Sequence, residues 1–235
     1  MPIRTLSTPS RVLSLRGRVG NLTAKSVLLA SLALASAAHA AVITQYSFPG
    51  AALTATTVSG NAAATAIDFA GSSASRFTLA DVLAVNSGAG ASGVASAVAV
   101  NSYFQFTVTP DAGFALDLDS FSLDAAYGSS GSGFSVRSSV DAYASDLLSA
   151  VVATAYPTLT NYTALLTTAD LQNVTSAVTF RVYNYLGGQA GNPSQAFDNV
   201  TLNGTVQASA AVPVPGTAWL VLAGAAALLG TRRRC

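Results

Sequence analysis

Tyr103-Phe104-Gln105-Phe106-Thr107-Val108-Thr109 decides the fold. Phe104, Phe106 and Val108 fall on one side of an extended chain, Gln105 and Thr107 on the other. This period of two marks a half-buried β-strand. Val178-Thr179-Phe180-Arg181-Val182-Tyr183 repeats it, with Val178, Phe180 and Val182 facing a core and Arg181 facing solvent. Residues 114–123 change phase. Phe114, Leu116 and Leu118 share one parity, Phe121 and Leu123 the other, so a bulge or turn near Asp119-Ser120 must intervene. Weaker strands are expected at residues 42–48, 53–58, 65–69, 134–138 and 200–206. One segment reads as helical. In residues 141–151, Tyr143, Leu147 and Val151 recur at i, i+4 and i+8. Gly88 to Gly93, Gly128 to Gly133 and Gly187-Gly188 read as loops. Many short strands with Gly/Ser/Asn breaks and few strong helix formers predict an all-β, two-sheet sandwich with at most one short helix.

Both ends read differently from the middle. Ser26 to Ala37 is an apolar stretch. It follows Arg4, Arg11, Arg16, Arg18 and Lys25 and precedes Ala38-His39-Ala40. A basic region, an apolar core and an Ala-x-Ala site make a secretory signal peptide, with Ala38 and Ala40 at the cleavage site and Ala41 as the mature start. At the other end Pro213, Val214, Pro215 and Gly216 precede an apolar run, Ala218 to Gly230, and then Arg232, Arg233 and Arg234. The prolines keep the approach extended. A helix through the apolar run would span roughly 20 Å, against a hydrocarbon core of about 30 Å. Such a segment holds the chain briefly better than permanently, and the arginines fix its cytoplasmic side. A signal helix and a C-terminal hydrophobic helix are therefore expected outside the sandwich.

The order Pro-x-Pro-Gly, hydrophobic segment, arginine cluster resembles the PEP-CTERM sorting tail of Gram-negative bacteria. Val214 stands where the usual motif, Val-Pro-Glu-Pro, has glutamate. The resemblance implies an exosortase-like membrane enzyme as partner, besides signal peptidase, and export to the cell surface or extracellular matrix. Phe134 to Asp141, Val178 to Tyr183 and Phe197 to Gly204 also resemble the β-sandwich ectodomains that carry such tails, which implies a jelly-roll, carbohydrate-binding-like fold.

The expected organisation is a signal peptide at 1–40, a sandwich at 41–208 and a sorting tail at 209–235. All ten acids are aspartates and all lie in the sandwich segment, with only Arg76, Arg137 and Arg181 for balance, a formal charge of −7. A polyanion such as nucleic acid is a poor partner for that surface. The segment has no His, Lys, Glu, Cys or Met. Serine nucleophiles thus lack their usual base, and zinc lacks its usual ligands. No catalytic, cofactor or metal residue is assigned, and no cofactor is expected.

Three readings of function follow. The first is a non-enzymatic structural protein of the surface or biofilm matrix, with exopolysaccharide as a further partner. The second is a lectin-like module, in which Tyr127, Tyr143, Tyr156, Tyr162, Tyr183 or Tyr185 stacks on sugar rings. The third is an Asp-dependent glycoside hydrolase, which needs only two suitably spaced carboxylates. Asp117 with Asp119 are candidate calcium ligands or a solvent-facing polar edge, and Asp198 is a candidate capping or calcium carboxylate. If Val200 and Leu202 face the core, a period of two turns Asp198 inward as well, with Arg181 or Arg137 as a partner.

Overall fold

The computed structural model describes residues 41–186 and 194–209. Ala38, Ala40, Pro213, Val214, Pro215, Gly216, Arg232, Arg233 and Arg234 lie outside them, as do both terminal apolar segments and Gly187-Gly188. Among the described residues no helix is long and apolar enough to cross a membrane.

Two antiparallel sheets form a sandwich. One carries β10 (Thr160–Leu165), β7 (Phe114–Tyr127), β12 (Ser194–Ala208), β1 (Ala41–Tyr46) and β2 (Thr57–Val58), in that order. Beside the start of β12 lies a hairpin of β5 (Val82–Asn86) and β4 (Ser75–Leu79). The other sheet runs β3 (Ala62–Ala64), β6 (Tyr103–Pro110), β11 (Val178–Leu186), β8 (Ser132–Ser138) and β9 (Leu148–Val151). Sheet orders β1-β12-β7-β10 and β6-β11-β8-β9 interleave the chain between layers as a jelly roll does. The remaining four strands all fall between β1 and β6.

The anchoring pattern holds. Phe104, Phe106 and Val108 on β6 and Val178, Phe180 and Val182 on β11 are buried to within 1% of completely. They face Phe121 on β7 and Phe197 on β12. Phe106 stacks on Phe180 at 5.5 Å, and Phe104 meets Phe197 edge-on at 5.1 Å. Fully burying a side chain of this size contributes about 1.5–3 kcal/mol.

The phase change in β7 is a bulge. Leu118 opposes Gly204 and Ser120 opposes Asn203, so Asp119 is the extra residue, and Leu116, Leu118, Phe121 and Leu123 all reach the core. A second bulge lies in β12. Asp198 opposes Asp124 and Thr201 opposes Ser122, leaving Asn199 and Val200 across from Leu123 alone. Asn199 enters it in the left-handed region at φ 46°, a conformation asparagine tolerates better than most residues.

The helix expected at 141–151 does not form. Ser139–Asp141 makes one 3-10 turn, and Ala142 and Tyr143 follow with φ of 58° and 62°. The Asp141 carboxylate accepts from the Ala144 and Ser145 N–H groups, closing the turn. Leu148–Val151 then pairs with β8 as an edge strand, leaving Val151 63% exposed rather than on a shared helical face. The α-helix of the described residues lies instead at α1 (Val94–Ala99), beyond the Gly88 to Gly93 loop. Its Ala97 closes over Tyr103, Tyr183 and Tyr185 on the outer face of the second sheet. Of the expected strands, 53–58 shrinks to Thr57–Val58. In 65–69 the pairing is the bridge of Asp68 to Gln105.

Candidate functional site

The first candidates are carboxylates. Asp198 does not turn inward, because the Asn199-Val200 bulge resets the alternation. Phe197 and Val200 point into the core, while Asp198 stays half-buried opposite Asp124. Neither Arg181 nor Arg137 reaches it. The Asn199 side-chain amide instead donates to Asp124 Oδ2 at 2.8 Å and to Asp198 Oδ2 at 3.4 Å. Its backbone N–H donates to Asp198 Oδ1 at 2.7 Å. Asn161 on β10 donates to the other Asp124 oxygen at 2.8 Å. Burial pushes the Asp198 carboxyl above the usual range, the Asn199 N–H opposes that, and the charges of Asp124 and Asp81 add to the rise.

Asp117 is engaged structurally. It accepts the Asn173 N–H at 2.6 Å and the Gln207 amide at 2.5 Å. Arg137 pairs with Asp146 at 2.5 Å. Among the described residues no group of three or more His, Cys, Asp or Glu is placed to hold a metal ion.

The tyrosines separate sharply. Tyr183 and Tyr185 are 2% and 8% exposed beneath α1. Tyr162 packs edge-on against Phe134 at 5.2 Å, and its hydroxyl accepts the Ala153 N–H at 2.8 Å. Tyr143 lies over the Arg181 guanidinium. Tyr127 and Tyr156 alone of the six are brought together beside an open cleft.

Among the described residues, three clefts stand out. One of about 410 Å³ lies among Ser139, Asp170, Gln172, Asn173, Thr175 and Ser176. A neighbouring one of about 190 Å³ shares Val140 and Asp170 with it and includes Asp141 and Leu171. The third, of about 270 Å³, is lined by Phe77, Leu79, Tyr127, Tyr156, Gln195 and Ala196, with Gly128 and Ala155. Neither Asp124 nor Asp198 lines any of the three.

Register explains the third cleft. Phe77 opposes Ala84, Ala84 opposes Ala196, and Ala196 opposes Ala126. A phenylalanine and three alanines thus form one row across β4, β5, β12 and β7, and Phe77 and Ala196 of that row line the cleft. Tyr156 is held at its rim by the backbone. The Tyr127 N–H donates to Thr154 O at 2.9 Å, and the Tyr156 N–H donates to Tyr127 O at 3.0 Å. Sequence reasoning named the two tyrosines but missed Phe77 and Leu79. The available signal was the pair of apolar runs flanking Ala80-Asp81, a two-residue hairpin connection.

No family model matches the chain, and no curated protein matches it. Among solved structures, the K3 cleaved adhesin domain of Lys-gingipain from Porphyromonas gingivalis w83 is similar over 70% of this chain and 99% of that domain, at 13% identity and a TM-score of 0.40.

Proposed function

We propose that the chain is an exported, non-catalytic protein of the cell surface or extracellular matrix of a Gram-negative bacterium. In this reading signal peptidase cuts after Ala40, and an exosortase-like enzyme engages Pro213, Val214, Pro215 and Gly216. The observation that carries it is the pairing of an Ala-x-Ala leader with a Pro-x-Pro-Gly, apolar and arginine tail on one acidic chain.

The position of the sandwich supports the reading. β12 ends at Ala208, ahead of Pro213. Ala41 pairs with Gly204, so the start of β1 and the end of β12 lie at one pole of the sandwich. A domain fixed to the membrane at that pole during export extends its other pole away from it.

The intact mass of the protein recovered from the cell surface tests the proposal. The expected mass lacks residues 1–40 and the arginine cluster. Deleting residues 213–216 is expected to leave the tail uncut and the protein in the cytoplasmic membrane. Full-length mass at the surface would overturn the sorting reading.

A further inference from the structure

We propose that the cleft between Phe77, Tyr127 and Tyr156 is a binding site for a neutral pyranose ring. This goes beyond the sorting reading, which bears only on the direction the cleft faces.

The lining fits that chemistry. It contains no ionisable carboxylate, amine or guanidinium, although the sandwich around it carries a charge of −7. A charged ligand would find no counter-charge there, and desolvating it would be costly. The floor is apolar, formed by Ala196 with Leu79 packed beside it. One face of a pyranose ring is a plate of C–H groups, and such a plate lies flat against an aromatic ring or an apolar floor.

Tyr156 supplies the ring. At 41% exposed it is the most open large aromatic of the described residues, yet its backbone is tied to Tyr127. The Thr158 N–H donates to Ala155 O at 3.0 Å, closing the turn that carries it. The stacking surface is therefore pre-positioned, which lowers the ordering cost of binding.

Polar groups stand at the same wall. The Tyr162 hydroxyl is occupied by Ala153, whereas those of Tyr127 and Tyr156 make no hydrogen bond to another described residue. Gln195, 1% exposed, spends its amide N–H groups on Gly133 O and Tyr185 O. Its Oε1 is buried and, among the described residues, has no partner, so it backs the cleft without being open to a ligand. Sugar hydroxyls both donate and accept, as do the two tyrosine hydroxyls at this wall.

Size and place agree. About 270 Å³ lies just under the ~300–1,000 Å³ range of small-molecule sites, which suits one ring rather than several. The cleft also lies at the start of β12, at Gln195 and Ala196, while the tail leaves from its end at Ala208. Twelve residues of strand separate Ala196 from Ala208, roughly 40 Å. A site at that pole faces away from the membrane when the tail is held there.

Calorimetric titration of the full chain with maltotriose, cellotriose, chitotriose and mannotriose, and with a triuronate as the charged comparison, tests the site. At least one neutral trisaccharide is expected to bind saturably, and the triuronate more weakly. Tyr156→Ala is expected to weaken that binding about tenfold with an unchanged melting temperature. Tyr156→Phe, which keeps the ring, is expected to stay within about threefold of the parent. No saturable neutral ligand, a preference for the triuronate, or equal affinity in parent and Tyr156→Ala would each overturn the proposal. A Tyr156→Phe loss as large as that of Tyr156→Ala would overturn the stacking geometry. None of these outcomes depends on whether the tail is cut, since failed sorting alters mass and location and leaves sugar affinity unchanged.

Discussion

The Arg181 guanidinium lies 4.0 Å from the centre of the Tyr143 ring. Tyr103 covers its other side at 4.3 Å, and Gln105 accepts from its Nε at 3.0 Å. This sandwich fastens the loop after β8 to the outer face of the second sheet, in place of the helix that the spacing of Tyr143, Leu147 and Val151 suggested. Each partly desolvated cation–π contact is worth about 0.5–2 kcal/mol. Arg181→Ala is expected to destabilise the fold by about 1–3 kcal/mol, and Arg181→Lys, without the planar fork, to recover only part of that. Urea midpoints measure both. An Arg181→Ala protein as stable as the parent would show that the stack contributes nothing.

Asn199 holds two carboxylates that face each other across β7 and β12. Asn199→Ala is expected to cost about 1–2 kcal/mol at neutral pH. Asn199→Gly suits the left-handed backbone but removes the amide, so it separates backbone strain from charge. Because burial raises the Asp198 carboxyl, the folded state holds that proton more tightly than the unfolded state does. Its contribution to stability therefore grows as pH falls through the folded value and is lost as pH rises. The Asn199→Ala penalty should shrink in acid. Carbon-13 titration of the Asp198 carboxyl checks the direction, and a value at or below the ordinary carboxylate range would contradict it.

Tyr46 is fully buried, and its hydroxyl donates to Thr65 O at 2.5 Å. Burial pushes the phenol from 10.0 to about 12. The neutral form is the one the fold keeps. The stability it confers is complete below the unfolded value and lost as pH rises from 10.0 to about 12. Alkaline unfolding followed with phenolate absorbance is expected to show tyrosine ionisation, Tyr46 included, that appears only as the protein unfolds. Tyr46→Phe should flatten the stability loss in that window, and an unchanged slope would sink the assignment.

Gly204 is required by a close approach. A Cβ there would stand 2.1 Å from Asp117 O and 2.9 Å from Ile43 Cδ1. It sits beside the Asp119 bulge, where β12 touches β7 on one side and β1 on the other. Relief requires moving the backbone of a central strand, so Gly204→Ala is expected to cost about 2–4 kcal/mol. Gly113→Ala provides the contrast. No atom lies within 4 Å of its Cβ position, and its cost should reflect only its φ of 85°. Equal melting temperatures for Gly204→Ala and the parent would refute the steric account.

Legibility followed the range of the interaction. The Asp119 bulge was readable because it flips the parity of large apolar residues within ten positions of one strand. The Asn199-Val200 bulge was not, because only Val200 and Leu202 beyond it gave a phase. Extending that phase back to Asp198 crossed the inserted residue. The β4–β5 hairpin went unread because its apolar runs are short and its partner in β12 lies more than a hundred residues away. Of the candidate sugar-stacking tyrosines, composition supplied six names. Packing beneath α1, against Phe134 and over Arg181 removed four.

The alternation of Phe104, Phe106 and Val108, with Val178, Phe180 and Val182, was enough to dictate a two-layer β architecture, because side chains alternate faces on any extended chain. The termini likewise carry their charge and hydropathy order in local sequence alone. Tertiary structure decided which residues share a site. Phe77, Ala196 and Tyr156 meet in one cleft, and Asp124 meets Asp198, only because strands far apart in the chain are hydrogen-bonded in a particular register. That register is chosen by the whole core packing at once.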